Sequence, residues 1–469
     1  MQFVSASISI GCGFPPIEKP MTLATRKRLL PALLALQFGV MALLPSHTGL
    51  AQSDTRRTGG SVAQPGSPLD QYLKAREQQQ MQPAVAAPLP FDVRTFEDMA
   101  RQIVAGQRVP GLAVAIVQNG RVLLARGYGV TDTAHPQPVD AHTVFRLASL
   151  SKTFAGTLGG MLVEEGALDL QQPVVRYVPD FRLRSADATS RLSVANLLSH
   201  SVGLPRTAFD RDIQANASYY SVRAKLASAP LSCAPGECYS YQNVAFSVFG
   251  DVVHGATGRV FDDHIQRRIF KPLGMNDASL GLEGITRSPR WAKPHIRAGS
   301  GWRSLIPKPT YYRLGPAAGV NASATDMAQY LLAQTGHRPD VISPQLLNTI
   351  RISRIDTPSE MRAAGWRRER LYSAGYGMGW RIYNYAGQPM YFHGGAVQGY
   401  RAAMAVLPRQ DLGVAILWNG ESGLPSGLLP TILDSAIGLP QTAWLKLDGL
   451  PGSEAFENIS ESINTSGSP

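Results

Sequence analysis

The sequence predicts an α+β fold in which an antiparallel sheet is built from both ends of the chain and a helical region is inserted between them. Three observations carry this. "LAVAIVQNGRVLLARGYG" (112–129) is two apolar runs around Asn119-Gly120, a strong short hairpin signal. Between about 167 and 350 helical signals dominate. Four strand-like segments then follow: "GMGWRIYNY" (377–385), "PMYFHGG" (389–395), "YRAAMAVLP" (400–408) and "LGVAILWNG" (412–420).

The elements follow in order. Thr95-Phe96-Glu97-Asp98 reads as a capping box, with Phe96, Met99, Ile103 and Val104 at helical spacing behind it. After the hairpin, "SLSKTFAGTLGGMLVEEG" (149–166) is apolar and rich in small residues, which predicts a tightly packed, buried helix. "LSVANLLSHSVGLP" has Ser193 as a cap and ends at Gly203. "VAFSVFGDVVHGATG" (244–258), "FDDHIQRRIFKPLG" (261–274) and "SATDMAQYLLAQTG" (323–336) are further helices. The late strands are joined by Ala386-Gly387 and Arg409-Gln410-Asp411, which predicts an antiparallel meander, and "PSGLLPTILDSAIG" (425–438) predicts a closing helix. No internal repeat is visible.

The 469 residues are 44% hydrophobic and 17% charged, enough to bury a large core. The net charge of +11 reads either as attraction to anionic partners such as envelope polymers or as scattered solvated arginines. No long Lys/Arg run is interleaved with aromatics, so nucleic-acid binding has little support. Arg26, Lys27 and Arg28 precede the apolar "LLPALLALQFGVMALL" (29–44) and the small-residue "SHTGLAQ" (46–52). This is the pattern of an export signal, and it is short for a spanning helix. The expected organisation is therefore an export-signal region at 1–51, with Met21 an alternative start, and a flexible Gln/Pro/Ser-rich tether at 52–90. A folded domain at 91–446 and a polar, disordered tail at 447–469 complete it. A periplasmic or secreted location follows, with no stable membrane span after cleavage. Of three cysteines, Cys12 falls in the removed region. Cys233 and Cys238 in "CAPGEC" read as a disulfide in an oxidising compartment, or else as two free thiols.

Three short patterns could carry chemistry. Ser149-Leu150-Ser151-Lys152 places a hydroxyl and an amine one helical turn apart. A desolvated, neutral amine there can take the proton from Ser149 and make it a nucleophile. With 37 serines and nine lysines in the chain, one Ser-x-x-Lys is expected by chance, so its weight comes from context. Tyr241-Gln242-Asn243 offers a phenol to shuttle a proton and an amide to bond a substrate carbonyl; a buried Tyr with a capping Asn is the plainer alternative. His393-Gly394-Gly395 ends an apolar strand against which a substrate backbone can lie, and the Ala396 N–H after it is a candidate oxyanion donor. His142, His200 and His254 show no metal spacing and read as packing or surface residues.

Ser-x-x-Lys, Tyr-x-Asn and His-x-Gly, in this order, resemble the signature of the serine penicillin-recognising enzymes. The resemblance is strongest to class C β-lactamases, D-Ala-D-Ala carboxypeptidases, D-aminopeptidases and related esterases. "VPGLAVAIVQNGRVLLARGYG", "FRLASLSKTFAG", "NLLSHSVGLP", "AAGVNASATDMAQYL" and "HGGAVQGY" resemble that family too, so the likeness spans about 91–440. It implies a β-lactamase-like fold: an antiparallel sheet flanked by terminal helices beside an all-helical region, with the site in the cleft between. It also implies roles. Ser149 is the nucleophile, and Lys152 and Tyr241 move protons. Asn243 and His393, Gly394 and Gly395 bind substrate. The N–H groups of Ser149 and Ala396 form the oxyanion hole. No metal or cofactor is required. The implied partners are small-molecule or peptide substrates, including peptidoglycan fragments. The implied activity is that of a β-lactamase or penicillin-binding D-peptidase, with an esterase or amidase, or a catalytically weak penicillin-binding protein, as alternatives. One departure bears on substrate. Where class C β-lactamases carry Lys-Thr-Gly, this chain has His-Gly-Gly, so a fixed cation becomes an imidazole and a hydroxyl is lost. Arg401 is a candidate for the missing cation, against the simpler reading of a solvent-facing strand arginine.

Overall fold

The computed structural model describes residues 92–445. The export signal, the tether and the polar tail expected from the sequence lie outside the described residues. Within 92–445 the frame is an eight-stranded sheet of β1 (Gly111–Gln118), β2 (Arg121–Gly129), β3 (Ile355–Asp356), β4 (Leu371–Tyr376), β5 (Arg381–Tyr385), β6 (Gln388–Val397), β7 (Tyr400–Leu407) and β8 (Leu412–Trp418). Their spatial order is β2-β1-β8-β7-β6-β5-β4-β3, and every neighbouring pair is antiparallel. The two ends of the chain meet where β1 pairs with β8, from Leu112 opposite Trp418 to Gln118 opposite Leu412.

β1 is buried along its whole length because both faces of the sheet are covered. Its side chains alternate with period two. Leu112, Val114 and Ile116 join a core with Phe96, Ala100 and Ile103 of α1 (Val93–Ala105). Ala113, Ala115 and Val117 face a second core that includes Phe154 and Leu158 of α2 (Ser151–Glu164), which opens the helical region. That region continues through α3 (Val244–Thr257), α4 (Ala324–Gln334) and α5 (Pro344–Arg351), and α6 (Leu428–Ala436) closes the chain beside α1. Each Val, Leu, Ile or Phe side chain fully buried this way contributes about 1.5–3 kcal/mol.

The structure refines several expectations. The cap of α1 is Asp92, whose carboxylate accepts the Arg94 N–H, and not Thr95, which lies inside the helix. Ser193 and Ser323 are capping-box residues, with Asn196 and Asp326 as their reciprocal partners. The helix after Ser193 stops at Leu198, before Gly203. The β1–β2 and β5–β6 turns carry positive φ at both central residues, as a type I′ hairpin does: Asn119 +50° and Gly120 +70°, Ala386 +48° and Gly387 +85°. The segment expected as one strand from 377 is split. Gly377–Trp380 forms a turn, and β4 precedes it, unrecognised in the sequence. That turn supports α2: a Cβ on Gly156 would sit 1.9 Å from the Met378 carbonyl oxygen, so only glycine allows the helix this close. Cys233 and Cys238 are joined in a disulfide. Among the described residues no helix is long and apolar enough to cross a membrane.

Candidate active site

Ser149 sits in a 3-10 turn, Ala148–Leu150, rather than in the first turn of α2 itself. The turn is held from two sides. The Ser151 hydroxyl donates to the Ala148 carbonyl at 2.6 Å and accepts the Val320 N–H at 3.0 Å. Ala148 is in the left-handed region at φ +49°, a local strain that such anchoring keeps in place. Ser149 is partly exposed between two buried neighbours, which presents its hydroxyl alone.

Lys152 is fully buried. Its Nζ lies 3.3 Å from Ser149 Oγ, 2.7 Å from Asn243 Oδ1 and 3.1 Å from the Ala317 carbonyl oxygen. Burial pushes its pKa well below that of a free amine, and Arg381 adds to this while Asp210 opposes it. A neutral amine has two N–H groups and one lone pair. Asn243 and Ala317 take the two N–H groups, which leaves the lone pair for Ser149 Oγ–H. The Tyr241 hydroxyl is hydrogen-bonded to Ser149, and burial pushes its pKa up, so it stays a phenol. The Tyr241 ring also lies 4.7 Å from Nζ. The Asn243 side chain does not cap α3; it is spent on Lys152 and Asp210.

Strand β6 forms the other wall. Its hairpins fix which backbone groups face the site. β5 and β6 close on the pair Tyr385–Gln388 and β6 and β7 on Val397–Tyr400, each across two residues. Such turns close hydrogen-bonded pairs, and the bonding alternates along the strand. Residues 393, 395 and 397 therefore bond to β7, and 388, 390 and 392 to β5. Because β5 begins at Arg381, opposite Phe392, Gly394 and Ala396 direct their backbone groups to an edge without a neighbouring strand. A Cβ on Gly395 would lie 2.3 Å from the Leu147 carbonyl oxygen and 3.3 Å from the Ser149 nitrogen. The strand at Gly395, the residue before Ala396, therefore rests directly on the turn that carries Ser149.

The His393 ring does not face substrate space. It is 1% exposed. Its Nδ1 donates to the Gly394 carbonyl at 2.8 Å, and Nε2 accepts from the Tyr376 hydroxyl at 2.9 Å. Burial, then Arg381 and Lys152, push its pKa well below the ordinary value, so it is uncharged and no pH switch. Both ring nitrogens of His393 are thus engaged within the protein. Arg401, half-buried on its strand, donates from Nη1 to the Val397 and Tyr400 carbonyls.

Several neighbours escaped the sequence. Asp210 Oδ2 accepts Asn243 Nδ2–H at 2.7 Å and the Tyr311 hydroxyl at 3.2 Å. Arg381, beside Tyr241 and Tyr376, is paired with Glu360 at 2.5 Å. His200, read from the sequence as a packing or surface residue, is indeed buried in packing, with its ring on Tyr241, Phe246 and Tyr376 and its Nδ1 accepting the Gln242 N–H.

A family model described as Beta-lactamase matches residues 96–436. The chain belongs to the β-lactamase family. "Penicillin-binding protein 4" of Amycolatopsis lactamdurans is 26% identical to this β-lactamase-family chain over 345 residues, covering 71% of it and 86% of the relative. "Esterase EstB" of Burkholderia gladioli is 29% identical over 303 residues, covering 56% of this chain and 75% of the relative. Among solved structures, the octameric penicillin-binding protein homologue from Pyrococcus abyssi superposes with a TM-score of 0.65 at 26% identity, covering 74% of this chain and 78% of that one. The family is one of serine hydrolases of the β-lactamase, penicillin-binding and esterase type.

Proposed function

We propose that the protein is an exported serine hydrolase that works through an acyl-enzyme on Ser149, acting on β-lactams or on D-Ala-D-Ala-type and other D-amino-acid peptides. The observation that carries this is the buried Lys152 amine, whose Nζ lies 3.3 Å from Ser149 Oγ while the Asn243 amide oxygen and the Ala317 carbonyl accept from it. Ser149 Oγ attacks the substrate carbonyl carbon as its proton passes to Lys152 Nζ. The carbonyl oxygen takes up the negative charge between the Ser149 and Ala396 N–H groups. Collapse of this intermediate breaks the bond to the leaving group, which receives a proton through Tyr241. Water then cleaves the Ser149 ester by the reverse use of the same groups. The open edge of β6 suits a peptide or peptide-like substrate laid alongside it. Peptidoglycan fragments are the implied physiological class. Export is supported by the signal-like residues 26–52 and by the disulfide.

A second reading, an esterase or amidase of other small acyl substrates, is favoured by the third motif. The His393 ring is buried and neutral, Gly394 has no side chain, and Arg401 is engaged with backbone. A substrate that needs no carboxylate contact fits such an edge better than one that does. Comparing kcat/KM for a penicillin, a D-Ala-D-Ala peptide and a p-nitrophenyl ester separates the two. Preference for the penicillin or the peptide supports the first reading, and turnover of the ester alone replaces it with the second.

A further inference from the structure

A carboxylate lies behind the amide that holds the catalytic amine. Asn243 accepts from Lys152 Nζ through Oδ1 and donates through Nδ2 to Asp210 Oδ2, both at 2.7 Å. A donor at one end and an acceptor at the other leave the amide a single orientation. Asp210 is 7% exposed and its second oxygen, Oδ1, is buried without a hydrogen-bond partner. An under-satisfied buried carboxylate is a cost that the fold carries. The chain goes to some length to put it there. Thr207 and Phe209, just before it, both have positive φ, +50° and +64°, in a region that bulky residues avoid. The same loop is stitched to the Tyr-x-Asn segment by Thr207 N–H to the Tyr241 carbonyl at 2.8 Å and by Gln242 Nε2 to the Leu204 carbonyl at 3.3 Å.

We propose that Asp210 is a positioning residue for acylation, acting through Asn243 to lock the Lys152 amine on Ser149 and supplying the negative charge against which that amine takes its proton. The inference rests on the acyl-enzyme reading. Each proton Lys152 accepts creates a buried ammonium, and a buried charge is tolerable only when balanced. The groups facing the pair are Tyr311 and Tyr241 at Asp210, and Tyr241, Arg381, His200 and His393 around Lys152. Of these, Arg381 is committed to Glu360 and both imidazoles are held neutral, which leaves Asp210 as the balancing anion. Burial raises its carboxyl to about 6, against the pull of Asn243, Lys152 and Tyr311.

The test is Asp210→Asn, which keeps an oxygen for Asn243 and removes the charge. Without the anion the protonated amine is less favoured, so the pKa of Lys152 falls. The acid limb of kcat/KM against pH then moves to lower pH by a unit or more, and kcat falls about 10- to 100-fold, the range for losing a group that orients a catalytic one. A drop in rate with an unmoved limb means a structural role only and overturns the proposal. A second readout needs no turnover: the 13Cε resonance of Lys152 in 13C-lysine-labelled protein, assigned against Lys152→Met. In the unsubstituted protein it carries an inflection near pH 6, where Asp210 takes up its proton, and this inflection is missing in Asp210→Asn. If the resonance passes pH 6 without an inflection, the proposal fails even where acylation is intact. If the inflection is present but no substrate acylates Ser149, it is the acyl-enzyme reading that fails.

Discussion

At the residue scale the site is a balance of buried charges. Glu360 shows this away from the nucleophile. Burial pushes its carboxyl up, but Arg381, Arg367 and the Tyr383 hydroxyl overcome that and hold it at about 2. A carboxyl lowered on folding stabilises the fold above its unfolded value, about 4.3, and loses that contribution as pH falls toward the folded one. Glu360→Gln leaves Arg381 buried without its partner and is expected to cost about 3–5 kcal/mol in urea unfolding at pH 7. The deficit narrows as pH drops from about 4.3 to about 2. A constant deficit over that range contradicts the assignment. Lys152→Ala is expected to lose nearly as much turnover as Ser149→Ala, because groups that act as one unit are strongly non-additive. The three motifs were legible because each is a local pattern and their order is shared with a family. Asp210 was not. In "FDRDIQ" nothing distinguishes it from Asp212, which pairs with Lys225 near the surface. Only the strained loop before it turns one aspartate toward Asn243. The buried state of His393 was equally illegible, since it depends on Tyr376 in a strand the sequence did not reveal.

At the element scale the site depends on close approaches of backbone. β6 lies on the nucleophile turn only because residue 395 has no Cβ. Gly395→Ala is expected to part the strand from the turn and lower kcat roughly 10²–10³-fold, the cost of losing one oxyanion donor. The fold remains, as circular dichroism would report. An alanine variant with wild-type kcat would place the oxyanion donors elsewhere. The disulfide acts on the same scale. The disulfide segment is bonded to the stretch at Ser201–Gly203 by Ser232 N–H to the Gly203 carbonyl and Gly236 N–H to the Ser201 carbonyl, and it leads directly into Tyr241. Closing so short a loop is worth about 2 kcal/mol by chain entropy. The double change Cys233→Ser and Cys238→Ser is expected to lower the thermal midpoint and to reduce kcat by loosening Tyr241. Unchanged kcat would limit the bond to stability. Strand β4 shows why some elements stayed hidden: "LYSAGY" interrupts its apolar residues with Ser and Gly, so the period-two signal is lost. The cap of α1 was misplaced for a related reason, because Asp92 and Thr95 are both good cap residues and sequence does not rank them.

At the scale of the whole molecule, the sheet and the helical region each supply half of the chemistry. Ser149, Lys152, Tyr241 and Asn243 come from the helical side, and Gly394, Gly395 and Ala396 from the sheet. The pairing of β1 with β8 ties the sheet together across some 300 residues of sequence, and α2 rests on the Gly377–Trp380 turn between β4 and β5. This architecture was legible because an uninterrupted apolar hairpin and an apolar meander at opposite ends of a chain have few ways to bury both faces. The substrate was less legible. It depends on what the edge of β6 presents, and there the third motif has exchanged a cation and a hydroxyl for a buried neutral ring and a glycine. The central claim is that Ser149 carries the acyl group. The most direct test is intact mass spectrometry of the purified protein mixed with a fluorescent penicillin and, separately, a p-nitrophenyl ester, followed over time beside Ser149→Ala. The account predicts a mass increase equal to the acyl group, localised to Ser149 by peptide mapping, or turnover of the probe; the Ser149→Ala protein, folded alike, shows neither. An adduct or undiminished turnover in Ser149→Ala would contradict it.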